Sequence, residues 1–179
     1  MHRKARTGRR WWVSGAVGKF GKFAVRDGAL IFLTVLGWIA LSGFSAGEGL
    51  LPETLTVLLG VMGGLCAWVL HEWGHVLGAM LGRSKLRVPT KLFSVYLFGF
   101  DNKAHTRGQF VVMALGGFVA TGLAFAFVML ALPQDLLATK VARGLVLLEI
   151  AVTAVLEVPG LILGIIAYEK LPSVDVLGK

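Results

Sequence analysis

The run Trp68-Val69-Leu70-His71-Glu72-Trp73-Gly74-His75-Val76-Leu77 sets an H-E-x-x-H pattern inside an apolar stretch extending from Thr54 to Gly82. A stretch of that length reads as a bilayer-spanning helix. Residues four apart share a helix face, so His71 and His75 can offer two imidazole nitrogens to one metal ion. Glu72, one residue on from His71, is placed to act as general base on a water at that metal. An ionisable side chain at the centre of a span costs roughly 2.5–3.5 kcal/mol on insertion scales, so a cluster of them needs a partner. A metal ion is such a partner.

The rest of the chain agrees with a membrane setting. Its 179 residues are 56% apolar and 16% charged, with a mean hydropathy of +0.76. That composition indicates a small polytopic membrane protein without a sizeable soluble domain. Four stretches are long enough to span: Ala29–Ala46, Thr54–Gly82, Phe110–Leu132 and about Gly144–Tyr168. The expected fold class is therefore all-α and polytopic, with four transmembrane helices. The single Cys66 excludes an intrachain disulfide and reads as a packing residue.

Charge sets the expected orientation. Arg3, Lys4, Arg6, Arg9, Arg10, Lys19, Lys22 and Arg26 precede the first span, and Arg83, Lys85, Arg87, Lys91, Lys103 and Arg107 lie between spans two and three. The loop after span one carries Glu48 and Glu53 and no base. The positive-inside rule then puts both termini and the 83–109 loop in the cytoplasm. The net charge of +8 is mostly this topology signal, and no nucleic-acid partner is expected. Residues 1–28 read as a basic, amphipathic arm lying on the cytoplasmic leaflet, or as a disordered one. Gly8-Arg9-Arg10-Trp11-Trp12 looks like a twin-arginine signal, but Lys19, Lys22 and Arg26 intervene before the apolar run. Residues 29–170 form the transmembrane domain, with a core at 54–168, and 171–179 a cytoplasmic tail.

A catalytic zinc takes three protein ligands and keeps a position open. All four Asp (Asp27, Asp101, Asp135, Asp175) fall outside the expected spans, which leaves Glu149 and Glu157 on span four. With a rise of ~1.5 Å per residue, His71 and His75 lie about 18 and 12 Å from Arg83 at the cytoplasmic end. Counted from Lys170, Glu157 lies about 20 Å deep and Glu149 about 32 Å. The third ligand is therefore expected to be Glu157, with Glu149 a structural or channel-lining acid near the outer face. Asp101 is held in reserve should its loop fold back into the membrane. Pro159, two residues beyond Glu157, is expected to kink span four and free a carbonyl, unless it is an ordinary packing kink.

Between spans two and three, residues 86–100 alternate imperfectly and carry β-branched and aromatic side chains after Pro89. They read as a short β-hairpin or strand segment, or as an amphipathic cytoplasmic loop. Gly60, Gly63, Gly64, Gly116 and Gly117 suit close helix packing, and His2 and His105 are expected to be solvated.

At these residues the chain resembles the site-2 protease family of intramembrane zinc metalloproteases, over residues 54–168. His71-Glu72-Trp73-Gly74-His75 matches the family's HExGH, and Phe93-Ser94-Val95-Tyr96-Leu97-Phe98-Gly99-Phe100 is similar to its F-S-x-x-x-G strand segment. Arg107-Gly108-Gln109 leading to Ala114-Leu115-Gly116-Gly117 is similar to the run into its A-G-P motif, with Gly117 in place of the proline. Where the family places an Asp ligand in N-x-x-P-x-P-x-L-D-G, this chain has Leu156-Glu157-Val158-Pro159-Gly160. The CAAX-processing zinc endoproteases, whose third ligand is a Glu, are the second resemblance.

The resemblance implies an intramembrane zinc metallopeptidase that hydrolyses a peptide bond of a membrane-embedded protein. Zn2+ would be held by His71, His75 and Glu157, with Glu72 as the catalytic base. The setting is a multi-pass protein of a bacterial or archaeal cytoplasmic membrane, its partners lipid and a membrane protein or peptide substrate. An alternative is a catalytically silent relative that binds or escorts membrane proteins.

Overall fold

The computed structural model describes residues 11–43, 49–93 and 97–171. Most of the Arg-rich start of the arm, the tail from 172 onward and residues 94–96 of the strand-like segment lie outside the described residues. Four helices carry the fold: α1 (Trp11–Gly43), α2 (Leu50–Leu81), α3 (Arg107–Leu130) and α4 (Leu137–Ile166). All four contain segments long and apolar enough to cross a bilayer, that of α1 being Phe20–Ala40. Phe32, Ile39, Leu123, Val155 and Ile166 each expose more than half their surface. An apolar exterior of that kind suits lipid rather than water.

α2 is the central helix and packs against the other three. Its contact with α3 is backbone on backbone. A Cβ on Gly74 would overlap the Gly116 carbonyl, and one on Gly116 would overlap the Gly74 carbonyl. One turn on, Gly78 meets the Val112 and Met113 backbone, while Gly60 and Gly64 seat against Val141 and Leu145 of α4. Small residues let helices approach closely enough for polar groups on neighbouring turns to meet. The α2–α3 connection is pinned too: Thr106 and Gln109 form a capping box, and Gln109 Nε2 donates to Gly82 O at 3.1 Å.

The first span lies on α1, which is helical from Trp11 to Gly43. Asp27, on this helix ahead of the apolar run, is 3% exposed and paired with Arg26 at 2.6 Å and with the Trp73 indole N–H at 2.8 Å.

The segment between α2 and α3 departs further from expectation. Among the described residues there is no strand and no β-hairpin, only an isolated antiparallel bridge between Arg87 and Gly99, with hydrogen bonds of 3.2 and 2.7 Å. Two features prevent a ladder. Pro89 lacks an N–H, and the carbonyls of Thr90 and Leu92 are taken by Lys22 Nζ and Arg26 Nη1 of α1. The segment folds instead as an irregular cap. Leu97 is buried with Phe20, Phe23 and Val76, and Leu86, Val88 and Phe98 pack around them. His105 is not simply solvated: its Nδ1 donates to Asp101 O, its Nε2 accepts from Lys85 N, and its ring stacks on Phe100.

Candidate metal centre

The backbone contact of α2 with α3 determines what surrounds the two histidines. Met113, Gly117 and Thr121 recur every four residues along α3, and each meets His75 or His71. The His75 ring occupies the space a Cβ on Gly117 would fill. That glycine stands where the resembled family has proline, and the structure shows what its bareness accommodates. His75 Nδ1 donates to Met113 O at 3.0 Å, and His71 Nδ1 lies 2.8 Å from Thr121 Oγ1. The rings are nearly perpendicular, at 84° with centroids 4.4 Å apart, and their Nε2 atoms face each other at 3.0 Å.

α4 supplies the third group. Glu157 Oε1 lies 3.0 Å from His71 Nε2, and Oε2 lies 3.2 Å from His75 Nε2. The helix runs through Pro159 to Ile166, so Glu157 is held on continuous helix rather than at a break. Among the described residues, His71, His75 and Glu157 form a group able to hold a metal ion. Asp101 is no part of it. It pairs with Arg87 at 3.3 Å and caps the short 3₁₀ turn Asn102–Ala104.

The proton positions in the donor set favour a cation. The Met113 carbonyl only accepts, so His75 Nδ1 carries the ring proton and its Nε2 presents a bare lone pair in the neutral ring. That lone pair points at another imidazole nitrogen and a carboxylate. Such a convergence of electron pairs suits a cation. Bonds of ~2.0–2.2 Å in tetrahedral geometry separate ligand atoms by roughly 3.3–3.6 Å, and the observed spacings of 3.0–3.2 Å are slightly tighter. The donors fit one small ion with little rearrangement.

Glu72 follows His71 directly on α2. It is buried, and its Oε2 accepts a long hydrogen bond from Leu97 N at 3.4 Å. The irregular cap thus reaches the motif in two ways, at Glu72 through Leu97 and beside His75 through Phe98, whose ring centroid is 6.4 Å away. Burial divides the site unevenly. The His71 side chain is inaccessible, whereas that of Glu157 is 33% exposed. Glu157 is the most exposed of the three groups.

Glu149 is tied to the histidines through α3. Its Oε1 accepts from Thr121 Oγ1 at 3.2 Å, and the same oxygen of Thr121 lies against His71. Depth counted along a helix axis misses this link because an imidazole ring and a threonine hydroxyl together span the intervening distance. Thr121 and the Met113 carbonyl were not singled out from sequence. A readable signal did exist for the threonine: Gly117 and Thr121 have the same four-residue spacing as His71 and His75 on the neighbouring span. No protein-family model, curated protein or solved structure matches the chain.

Proposed function

We propose that this protein is an intramembrane zinc metallopeptidase that hydrolyses a peptide bond in a membrane-embedded protein substrate. The observation that carries the reading is the convergence of His71 Nε2, His75 Nε2 and the Glu157 carboxylate within 3.0–3.2 Å, beside a buried glutamate, on helices suited to a bilayer. Two imidazoles and a carboxylate are a donor set used by catalytic zinc, with a position left open. The bound ion would supply Lewis-acid polarisation of the scissile carbonyl.

The remaining work falls to side chains of this chain. Glu72 takes the proton of the attacking water on its carboxylate and later returns it to the leaving amine. The Leu97 N–H holds one oxygen of that carboxylate and leaves the other for the water. Met113 O and Thr121 Oγ1 fix the imidazole rings from behind. The substrate enters from the α4 side, where Glu157 is exposed, and its backbone must unwind to be cleaved. Both termini and the basic 83–109 loop face the cytoplasm, consistent with the distribution of Lys and Arg.

The test is metal content and turnover measured on one preparation. Purified protein should hold zinc at one equivalent, and Glu72→Gln should keep that zinc while losing cleavage of trapped membrane substrates. Stoichiometric zinc with no turnover against any trapped partner would favour a silent relative that binds membrane proteins. Absence of bound metal would end both the catalytic and the zinc readings.

A further inference from the structure

Glu149 is an acid at membrane depth that the proposed reaction does not use. It is 7% exposed, and its Oε2 has no hydrogen-bond partner among the described residues. A buried acid in a span is costly, so its one good contact is informative. Glu149 Oε1 accepts the hydroxyl proton of Thr121. A threonine hydroxyl has a single proton and two lone pairs. With the proton committed to Glu149, Thr121 has only lone pairs to offer His71 Nδ1. His71 must then carry its ring proton on Nδ1, which leaves Nε2 bare toward His75 and Glu157.

The two histidines differ in what stands behind them. His75 is backed by the Met113 carbonyl, which cannot donate and needs no further control. His71 is backed by a hydroxyl, which can turn either way. If Thr121 rotated its proton onto Nδ1, His71 would be protonated on Nε2 and aim an N–H at Glu157 in place of a lone pair. We propose that Glu149 is a positioning residue that orients the Thr121 hydroxyl and so holds His71 in the Nδ1–H form, with Nε2 free for the metal. The inference rests on the zinc reading above for its purpose, although the proton arrangement exists without the ion. Outer-shell partners that orient a histidine ligand commonly change metal affinity by about 10–100-fold when removed.

The experiment uses the full chain in detergent micelles, labelled with 15N at histidine and freed of metal. The His71 nitrogen shifts report the tautomer, and chelator competition with zinc reports affinity. Wild type should show His71 protonated on Nδ1. Glu149→Leu and Thr121→Val should each move His71 toward the Nε2–H form and weaken zinc binding about 10–100-fold. Glu149→Gln retains an acceptor oxygen and should stay close to wild type, while His75 should keep its shifts throughout. Combining Thr121→Val with Glu149→Leu should add nothing to Thr121→Val alone, because one acts only through the other. An unchanged His71 tautomer and zinc affinity in Glu149→Leu, or strictly additive losses in the double variant, would overturn the proposal. Should Glu149→Leu fail to fold, an unchanged tautomer in Thr121→Val overturns it equally. A wild type that shows the expected tautomer but takes up no zinc refutes the zinc reading and leaves the Glu149–Thr121 relay standing.

Discussion

The membrane-embedded centre and the irregular cap over it are held by different kinds of contact. At the centre, three side chains from two helices meet, and each is placed by helix geometry: His71 and His75 by a four-residue step, Glu157 by its level on α4. In the cap, order comes from side chains of α1 binding loop carbonyls, from Leu97 packing among Phe20, Phe23 and Val76, and from Asp27 bridging Arg26 and Trp73. The first arrangement follows from periodicity. The second depends on which long side chain happens to reach which backbone atom. Changes at the centre should therefore abolish chemistry while sparing the fold, and changes in the cap should loosen the structure while sparing the metal.

The largest expected effect tests the first half of that contrast. Glu72→Gln should reduce turnover by about 10²–10⁴-fold, the usual contribution of a positioned general base, with zinc content unchanged. Stripping the metal with a chelator should abolish turnover in wild type, and restoring zinc should recover it. Loss of zinc in Glu72→Gln would show that Glu72 is a ligand rather than a base.

Gly117→Ala comes next and sharpens the claim that packing, not only ligand identity, builds the centre. A methyl at this position would coincide with the His75 ring, so the ring must move. Displacing a reacting group by about 1 Å can cost on the order of 10²-fold in rate, and a loss of that size is expected with the protein still folded. The readouts are cleavage rate and thermal unfolding in detergent, taken together. Retention of wild-type rate in Gly117→Ala would mean the His75 pose is not needed for turnover.

The same contrast explains how much could be read from the sequence alone. Spans two to four and the H-E-x-x-H face are encoded locally, in hydrophobic runs and a four-residue spacing. Counting helix rise puts Glu157 level with the histidines because α2 and α4 run in the same direction, and the side chains of all three meet in the structure. The count does not reveal the link of Glu149 to His71, which passes through Thr121 on a third helix. Met113 could not be found, because a backbone carbonyl leaves no mark on residue type. The strand expected at 86–100 failed for a related reason. Its alternation is real, but Lys22 and Arg26, far away in sequence, take the carbonyls a ladder would need. The partner of Asp27 is hidden in the same way, because Trp73 lies 46 residues away in sequence.

Trp73→Phe probes the join between the two regions, since Trp73 lies within the motif yet donates to Asp27 on α1. Removing the indole N–H leaves Asp27 buried with Arg26 alone, at an expected cost of about 1–3 kcal/mol. Thermal unfolding should shift down, and protease should nick the cap more readily near residues 90–93. Zinc affinity should be nearly unchanged. A fall in zinc affinity as large as that from removing Thr121 would show that cap and centre form one unit.

The smallest effect is expected at Asp101, which the sequence offers as a reserve ligand and the structure places in the cap. Its carboxylate pairs with Arg87 at 3.3 Å, in a pair whose arginine is mostly exposed. Exposed ion pairs contribute about 0–1 kcal/mol, so Asp101→Asn should barely move the unfolding midpoint. The substitution keeps an oxygen able to accept from Lys103 N, which preserves the cap of the 3₁₀ turn. Zinc content and turnover should match wild type, because no donor atom of the centre is touched. If Asp101→Asn instead releases zinc while Glu157→Gln retains it, the ligand roles are reversed, and the cap must fold into the membrane to reach the metal.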